Sequence, residues 1–290
     1  MSESSVKVCG RLFTESDLEA IRNLSAAKPS LTRSEIARRT CARLGWYRAD
    51  GRLKEMSCRV ALLRLQDRGL IHLPPPRNGN GNGRPFRLVC TIPEREKALV
   101  CSVRDIDGLA VRPVAGRRDS TLWNEAVGRF HYLGYTPLPG AQMRYLIEGD
   151  LGLLGVIGFG ASAWKVAARD RWIGWTSEQR VARLDLVVNN ARFLILPWIR
   201  CTNLASWVLS RCARRLQADW RHRYGHQPVL LETFVECDRF RGSCYRATNW
   251  IHVGETQGRG KLDRHHRHSL PVKAVFLYPL QANFREVLCS

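Results

Sequence analysis

The sequence predicts an α/β protein, more narrowly α+β, with a mainly helical first domain and a mixed-sheet second domain. Residues 14–65 contain three segments with the apolar spacing of amphipathic helices. Residues 184–197 and 228–235 are apolar runs that are long enough for strands and short for typical helices. A helical pattern lies between those two runs, which indicates the order strand, helix, strand.

The first helix is predicted near Thr14, where Thr14–Asp17 precede the periodic Leu18, Ile21 and Leu24. A second helix opens at Thr32–Glu35, whose spacing is that of a capping box, and ends at Gly45. A third follows, with its apolar positions at Met56, Val60, Leu63 and Leu65. These signals predict three consecutive helices.

A short strand is predicted at 70–73, a rigid exit at Pro74–Pro76 and a returning strand at 84–89. Three helices followed by a hairpin describe a winged helix-turn-helix, here residues 10–92. Its third helix is expected to enter a DNA major groove. The predicted DNA contacts are Arg33, Arg38, Arg39, Lys54, Ser57, Arg59 and Arg64, with Arg77 and Arg84 at the wing. The alternative is a winged helix that binds protein or mediates dimerisation.

Residues 93–119 read as a linker with one short strand, because proline and glycine interrupt any longer pattern there. The second domain is predicted at 120–285. It begins with a helix at 122–130 and a hairpin formed by 144–147 and 153–159. The strand at 184–197, the helix from 204 and the strand at 228–235 follow. A short helix and a further strand are expected within 242–254.

Tyr245-x-x-x-Asn249-Trp250 resembles the Tyr-x-x-x-Gly-Phe signature of GNAT-type N-acyltransferases. The resemblance implies that Tyr245 acts as a general acid. It also implies a pyrophosphate-binding turn at Arg200, Asn203 and Ala205, since the family has Arg/Gln-x-x-Gly-x-Gly/Ala at this strand-to-helix junction. Asn203 stands where the family has glycine, and asparagine tolerates left-handed backbone. We therefore expect the turn to form but acetyl-CoA to bind weakly or not at all.

Seven further segments resemble the DruA-like family, which occurs in Druantia anti-phage systems and bacterial mobile elements. They are 54–59, 73–76, 131–134, 169–175, 188–197, 232–234 and 258–260. Their number and order make the resemblance specific. It implies a role in defence or mobility, with DNA and other proteins of such systems as partners.

Three residues are candidates for catalysis. Tyr245 is either a proton donor or a tyrosine whose hydroxyl satisfies a backbone carbonyl. Glu232 lies in an apolar strand, so it is either a functional carboxylate or one neutralised by an arginine such as Arg200 or Arg246. Asp185 begins the fourth strand, and the pair Asp185/Glu232 would suit Mg²⁺-assisted phosphodiester cleavage. We expect the working site where the fourth and fifth strands diverge.

The composition favours a polyanionic partner. The 290 residues include 46 Lys plus Arg and 26 Asp plus Glu, for a net charge of +20. Such a charge favours nucleic acid, while solubility alone is the simpler alternative. No apolar run of membrane-spanning length and no secretory signal occurs, so we expect a cytoplasmic protein.

The cysteines and histidines predict no metal site. Its ten cysteines form no Cys-x-x-Cys pair, which indicates reduced thiols in the cores. The histidines at 265, 266 and 268 lack a completing carboxylate or cysteine.

Three functions remain open. The first is a DNA-binding protein of a defence system or mobile element whose GNAT-like domain acts on or grips nucleic acid. The second is an acyltransferase that modifies a nucleobase or an amine. The third is a transposase-like, metal-dependent nuclease.

Overall fold

The computed structural model describes residues 5–27, 31–47, 51–76, 90–258 and 271–290. The chain divides into two compact units, Met1–Pro85 and Phe86–Ser290. Within the described residues, no helix is both long and apolar enough to cross a membrane. All ten cysteines are free thiols.

The first unit contains a hairpin and three helices. Strands β1 (Val6–Val8) and β2 (Arg11–Phe13) pair antiparallel, a hairpin that the sequence patterns did not predict. Helices α1 (Glu15–Ala26), α2 (Arg33–Arg43) and α3 (Glu55–Asp67) follow. The predicted caps are present, because the Thr14 and Thr32 side chains accept hydrogen bonds from the third residue of their helices.

The inward face of α3 differs from the predicted one. Its buried residues are Cys58, Ala61, Leu62 and Leu65, whereas Met56, Val60 and Leu63 are exposed. The helix carries apolar residues on both faces, so periodicity alone could not identify the face that packs against α1 and α2. The buried face of α3 is determined by its packing in the hydrophobic core of the first unit. That core includes Phe13, Leu18, Ile21 and Ile36.

Residues 70–73 do not form the predicted strand. Ile71 and Leu73 are buried in extended chain, and the Leu73 amide donates to the side-chain oxygen of Gln66. The returning strand at 84–89 and the wing tip lie outside the described residues. The structure therefore provides the three helices, and the wing stays a prediction.

The second unit is built on a seven-stranded mixed sheet in the order β10-β11-β9-β7-β6-β5-β4. The strands are β4 (Ala110–Pro113), β5 (Met143–Gly149), β6 (Gly152–Ala161), β7 (Val187–Ile195), β9 (Leu230–Glu236), β10 (Ile251–Glu255) and β11 (Lys273–Pro279). Only β7 and β9 pair in parallel within this sheet; all its other neighbours are antiparallel. The predicted hairpin is confirmed as β5 and β6.

Six helices accompany the sheet among the described residues. They are α4 (Gly116–Phe130), α5 (Ala167–Ile173), α6 (Ser177–Arg183), α7 (Leu204–Tyr224), α8 (Ser243–Arg246) and α9 (Phe284–Cys289). The predicted linker at 93–119 contains two short strands, where the sequence predicts one. It contains β3 (Leu99–Ser102), which pairs in parallel with β8 (Ile199–Thr202), and also β4, the edge strand of the sheet. Proline and glycine residues interrupt the apolar pattern of this segment, so the sequence did not locate these short strands.

Strands β7 and β9 part after three residue pairs. Their register joins Val187 to Leu230, Val188 to Leu231 and Asn189 to Glu232. Beyond Asn189, β7 stays paired with β6 to Ile195, whereas β9 stays paired with β11 to Glu236. Each strand follows its other neighbour, so the sheet opens between them. This is the divergence predicted for the fourth and fifth strands.

Candidate functional site

A cleft of about 580 Å³ lies where β7 and β9 separate. One wall is formed by β7 residues 189–195 and the other by 233–235 of β9. The end of α4 and the chain after it add residues 130–133, and the segment 240–245 leading into α8 adds more of the lining. Pro197, Ala205 and Lys273 complete it. The volume is that of a pocket for a small molecule or cofactor.

A buried hydrogen-bond network holds Tyr245 at this cleft. Its hydroxyl donates to Oδ1 of Asn190 over 2.7 Å, and the Thr233 hydroxyl donates to the Asn190 carbonyl oxygen over 3.1 Å. The Asn190 amide nitrogen donates to the Gly158 carbonyl oxygen over 3.1 Å. Burial raises the pKa of Tyr245, so the phenol keeps its proton at neutral pH. The arrangement offers a fixed, protonated hydroxyl.

The short helix α8 requires glycine at its start. Gly242 has φ 66°, and a Cβ there would lie 2.8 Å from the Phe276 ring. The Tyr245 ring stacks on the same Phe276 ring, with centroids 5.8 Å apart. Because Gly242 has no side chain, the backbone there lies close to Phe276, and the Tyr245 ring packs on Phe276 of the sheet.

The cleft is cationic. Arg192, Arg241 and Lys273 line it, and no Asp or Glu occurs among the described lining residues. The Arg192 guanidinium donates to the Ala191 carbonyl oxygen over 2.7 Å and to the Thr136 hydroxyl over 2.8 Å. Burial lowers the pKa of Arg192, but an arginine remains charged at neutral pH.

Two polar atoms of the lining residues are buried without a partner. Nε of Arg192 is a donor and Oδ1 of Asn189 is an acceptor, and neither makes a hydrogen bond to any described residue. Buried polar groups nearly always have a partner, including water. Both atoms are also shielded from solvent, so neither is open to a ligand in the cleft as the structure stands.

His131 and Tyr132 form an aromatic wall. Their rings stack with centroids 4.9 Å apart, and Tyr132 lies 5.3 Å from the Phe240 ring. Burial and the charge of Arg192 lower the pKa of His131 to about 4. The imidazole is therefore neutral at pH 7. Its Nδ1 is placed to accept from the Leu133 amide over 3.2 Å, which assigns the proton to Nε2.

The predicted phosphate turn is only partly at the cleft. Ala205 lines it, whereas Arg200 is exposed on β8 and does not. Asn203 precedes α7 with φ 65°, so the left-handed turn predicted for it is present. Its carbonyl oxygen accepts from the Trp207 amide over 2.9 Å. Asparagine thus adopts the left-handed turn that the family forms with glycine. Arg200, however, is not among the residues that line the cleft.

Glu232 does not line the cleft, contrary to the expectation from the sequence. It is fully buried on the face of β9 opposite Thr233. One carboxylate oxygen accepts from the Ala163 amide and the other from Arg169, each over 2.7 Å. The neutralising arginine is thus Arg169 and neither Arg200 nor Arg246.

Asp185 also lies away from the cleft lining. It belongs to a 3₁₀ turn, Leu184–Leu186, that precedes β7. Among the described residues, no group of three or more His, Cys, Asp or Glu side chains could hold a metal ion. The histidines at 265, 266 and 268 lie outside them.

In the first unit, four of the seven predicted DNA contacts that the structure describes already have partners. Arg33 donates to the Pro74 carbonyl oxygen over 2.6 Å, and Arg59 donates to the Ser34 hydroxyl. Surface ion pairs join Arg38 to Glu35 and Glu55, and Arg39 to Glu35. Lys54 precedes α3, while Ser57 and Arg64 lie on its exposed face. Arg77 and Arg84 fall outside the described residues.

Sequence reasoning missed several cleft residues as site candidates, namely His131, Tyr132, Asn190, Arg192, Arg241 and Lys273. A signal existed for four of them, since 131–134 and 188–197 are among the segments that resemble the DruA-like family. Those segments are far apart in sequence, and only the fold brings them to one cleft.

Structural comparison finds acetyltransferases. An N-acetyltransferase from Staphylococcus aureus Mu50 is 14% identical with a TM-score of 0.38, over 60% of this chain and 100% of its own. A probable GNAT-family acetyltransferase from Chromobacterium violaceum ATCC 12472 is 12% identical with a TM-score of 0.37, over 70% and 98%. Both TM-scores are below 0.5, so the likeness to these structures is a loose one.

No curated protein matches the chain. The family described as Druantia protein DruA matches residues 102–269, which is more than half of the chain and includes most of the cleft. The protein therefore belongs to the DruA family, and its second unit is a GNAT-like mixed-sheet domain.

Proposed function

We propose that the protein is a DNA-binding component of an anti-phage defence system and that its cleft holds one nucleotide of the bound DNA. The composition of the cleft carries the proposal. Its described lining combines three cationic side chains with aromatic rings and contains no carboxylate. Cations attract phosphate, and aromatic rings stack on bases regardless of sequence.

The size of the cleft supports the same ligand class. The cleft volume of about 580 Å³ suits one nucleotide and excludes a duplex.

For the first unit we propose a winged helix that docks on duplex DNA through α3. Ser57 and Arg64 are exposed on this helix. Arg38 and Arg39 are about half exposed, so they can exchange their carboxylate partners for phosphates. Met56, Val60 and Leu63 share the exposed side and favour the alternative of a protein partner.

The test measures binding of the full chain to a labelled duplex with a single-stranded end at several salt concentrations. Arg64→Ala should weaken binding and flatten its salt dependence. Arg241→Ala/Lys273→Ala should weaken binding to the single-stranded end more than to a blunt duplex. Lys165→Ala/Arg171→Ala removes two exposed cations that do not line the cleft and serves as the matched control.

The defence role is tested in cells that carry the complete system. The Arg241→Ala/Lys273→Ala variant should lose protection against phage, while the Lys165→Ala/Arg171→Ala control should keep it. Full protection by the cleft variant would refute the assignment of the cleft. If the variant keeps protection against phage but the mobile genetic element that carries the gene no longer transposes, a role in that mobile element is favoured instead.

A second candidate, acyl transfer, is favoured by Tyr245. Tyr245 lines the cleft and keeps its proton at neutral pH, so its hydroxyl could protonate a departing thiolate if it gave up its hydrogen bond to Asn190. A CoA-type cofactor would supply the acyl group, and Ala205 at the start of α7 lines the same cleft. Calorimetry with acetyl-CoA distinguishes this candidate from nucleotide binding alone.

A further inference from the structure

Helix α7 presents a basic outer face. Its inward residues are Leu204, Val208, Leu209, Cys212, Leu216 and Trp220. On the opposite side Arg211, Arg214 and Arg221 are exposed. Each residue of a helix turns the chain by about 100°, so these three arginines fall within about a quarter of the circumference. They form one stripe along the helix, which we call the α7 stripe.

The arginines of the α7 stripe lack acidic partners. None of the three guanidinium groups makes a hydrogen bond or an ion pair with a described residue. The Arg211 guanidinium lies 5.1 Å from the ring centroid of Trp207. The single acidic residue of α7 is Asp219. It is bound to Arg215 at 2.6 Å and accepts from the Tyr145 hydroxyl over 2.9 Å. The only carboxylate of α7 is therefore bound to Arg215 and to Tyr145 of β5, and it does not neutralise the α7 stripe.

The helix dipole explains only part of the stripe. Arg221 lies in the last turn, where a cation interacts favourably with the carbonyl end of a helix. Arg211 and Arg214 lie in the middle of the helix, where this effect is weak. Solvated helix faces that serve solubility usually alternate charges of both signs. Three arginines with no carboxylate on the same face instead suit a polyanion.

The spacing of the stripe matches a nucleic-acid backbone. Arg211 and Arg221 are ten residues apart, which is about 15 Å along the axis. A DNA duplex carries about one charge per 1.7 Å, so roughly nine phosphate charges fall within that length. Arginine also binds phosphate oxygens in a planar, two-pronged geometry.

We infer that the α7 stripe is a contact for the DNA backbone, separate from the first unit and from the cleft. The inference rests on the proposed DNA binding but requires neither α3 nor the cleft to be the primary contact. It assigns to the GNAT-like domain a duplex-holding surface of its own. Phosphate contacts of this kind position a protein on DNA without reading its sequence.

The experiment compares three forms of the full chain with the parent protein by fluorescence anisotropy on a blunt labelled duplex. The first is Arg211→Ala/Arg214→Ala/Arg221→Ala. The second replaces the same arginines with lysine, which keeps the charge. The third, Arg117→Ala/Lys165→Ala/Arg171→Ala, removes three exposed cations elsewhere in the second unit. Circular dichroism confirms that each form is folded.

Each lost phosphate contact reduces the slope of log affinity against log salt by about 0.9. The alanine form of the α7 stripe should therefore lose about 2 to 3 units of slope. The lysine form and the control form should keep most of it.

An alanine form that matches the parent in affinity and slope overturns the inference while the proposed DNA binding stands. A lysine form that is as weak as the alanine form also overturns it, because charge would then not be the cause. A parent protein without salt-dependent DNA binding overturns the inference and the proposed function together.

Discussion

Replacing Glu232 by glutamine should destabilise the second unit because it breaks a buried ion pair. Glu232 and Arg169 are both fully buried, and their side chains meet at 2.7 Å. Glutamine has the same shape but no charge and a single acceptor oxygen. That single oxygen cannot accept hydrogen bonds from both the Ala163 amide and Arg169 in their present positions. One of these two buried donors would then face the glutamine NH₂ group and have no acceptor.

The expected loss is about 3 kcal/mol. Breaking a buried ion pair by removing one partner typically costs about 3 to 5 kcal/mol. The lower end applies here, because Asp170 also contacts Arg169 at 2.7 Å and keeps part of its charge compensated. For a unit of this size about 3 kcal/mol corresponds to a fall of roughly 6–12 °C in Tm.

Urea denaturation followed by tryptophan fluorescence measures this change. All tryptophans except Trp46 belong to the second unit, so the signal reports mainly its unfolding. The midpoint should fall with little change in the denaturant slope. Glu286→Gln, an exposed change on α9, should stay within about 0.5 kcal/mol of the parent.

A double variant shows whether the buried charge is the cause. Glu232→Gln/Arg169→Met removes both charges and should recover part of the loss. An unchanged midpoint for Glu232→Gln would refute the structural role of the pair. If phage protection then disappeared without any loss of stability, Glu232 would have to be a functional carboxylate.

Three further predictions concern the cleft. Tyr245→Phe should cost about 1–2 kcal/mol in urea denaturation, because Oδ1 of Asn190 loses its buried donor, and an unchanged midpoint would show that water replaces the hydroxyl. Acetyl-CoA should bind weakly or not at all in calorimetry, and micromolar affinity that is lost in Arg200→Ala would promote the acyltransferase function. The pKa of His131 is lowered in the folded protein, so its contribution to stability is full above about pH 6.5 and is lost as the pH falls toward about 4. Titration of the His131 ring by NMR checks this, and an ordinary pKa near 6.5 would contradict the burial by the cleft wall and Arg192.

Sequence patterns predicted much of the second unit because its main signals are local. The apolar runs at 184–197 and 228–235 contain β7 and β9, and the helical pattern after 204 is α7. The hairpin and the divergence of the two parallel strands were also predicted. One short strand was expected at 93–119 without a position, and β3 and β4 could not be located because four residues give too little periodicity.

The catalytic candidates were harder to place because their environments are set by residues distant in sequence. The sequence placed Glu232 in an apolar strand, which required a partner or a function. Only the fold showed that its partner is Arg169, 63 residues earlier, on the face of β9 away from the cleft. Tyr245 was identified from its motif, whereas Asn190, which holds its hydroxyl, was not.

The sequence by itself determined the family, the basic charge, the helix caps at Thr14 and Thr32, and the strands on either side of α7. These depend on composition or on residues a few positions apart. Tertiary structure decided which face of α3 is buried, which arginine neutralises Glu232 and which side chains line the cleft. Each of these depends on strand register and on packing between distant segments, and the hydrophobic pattern of a single segment carries no information about its partner.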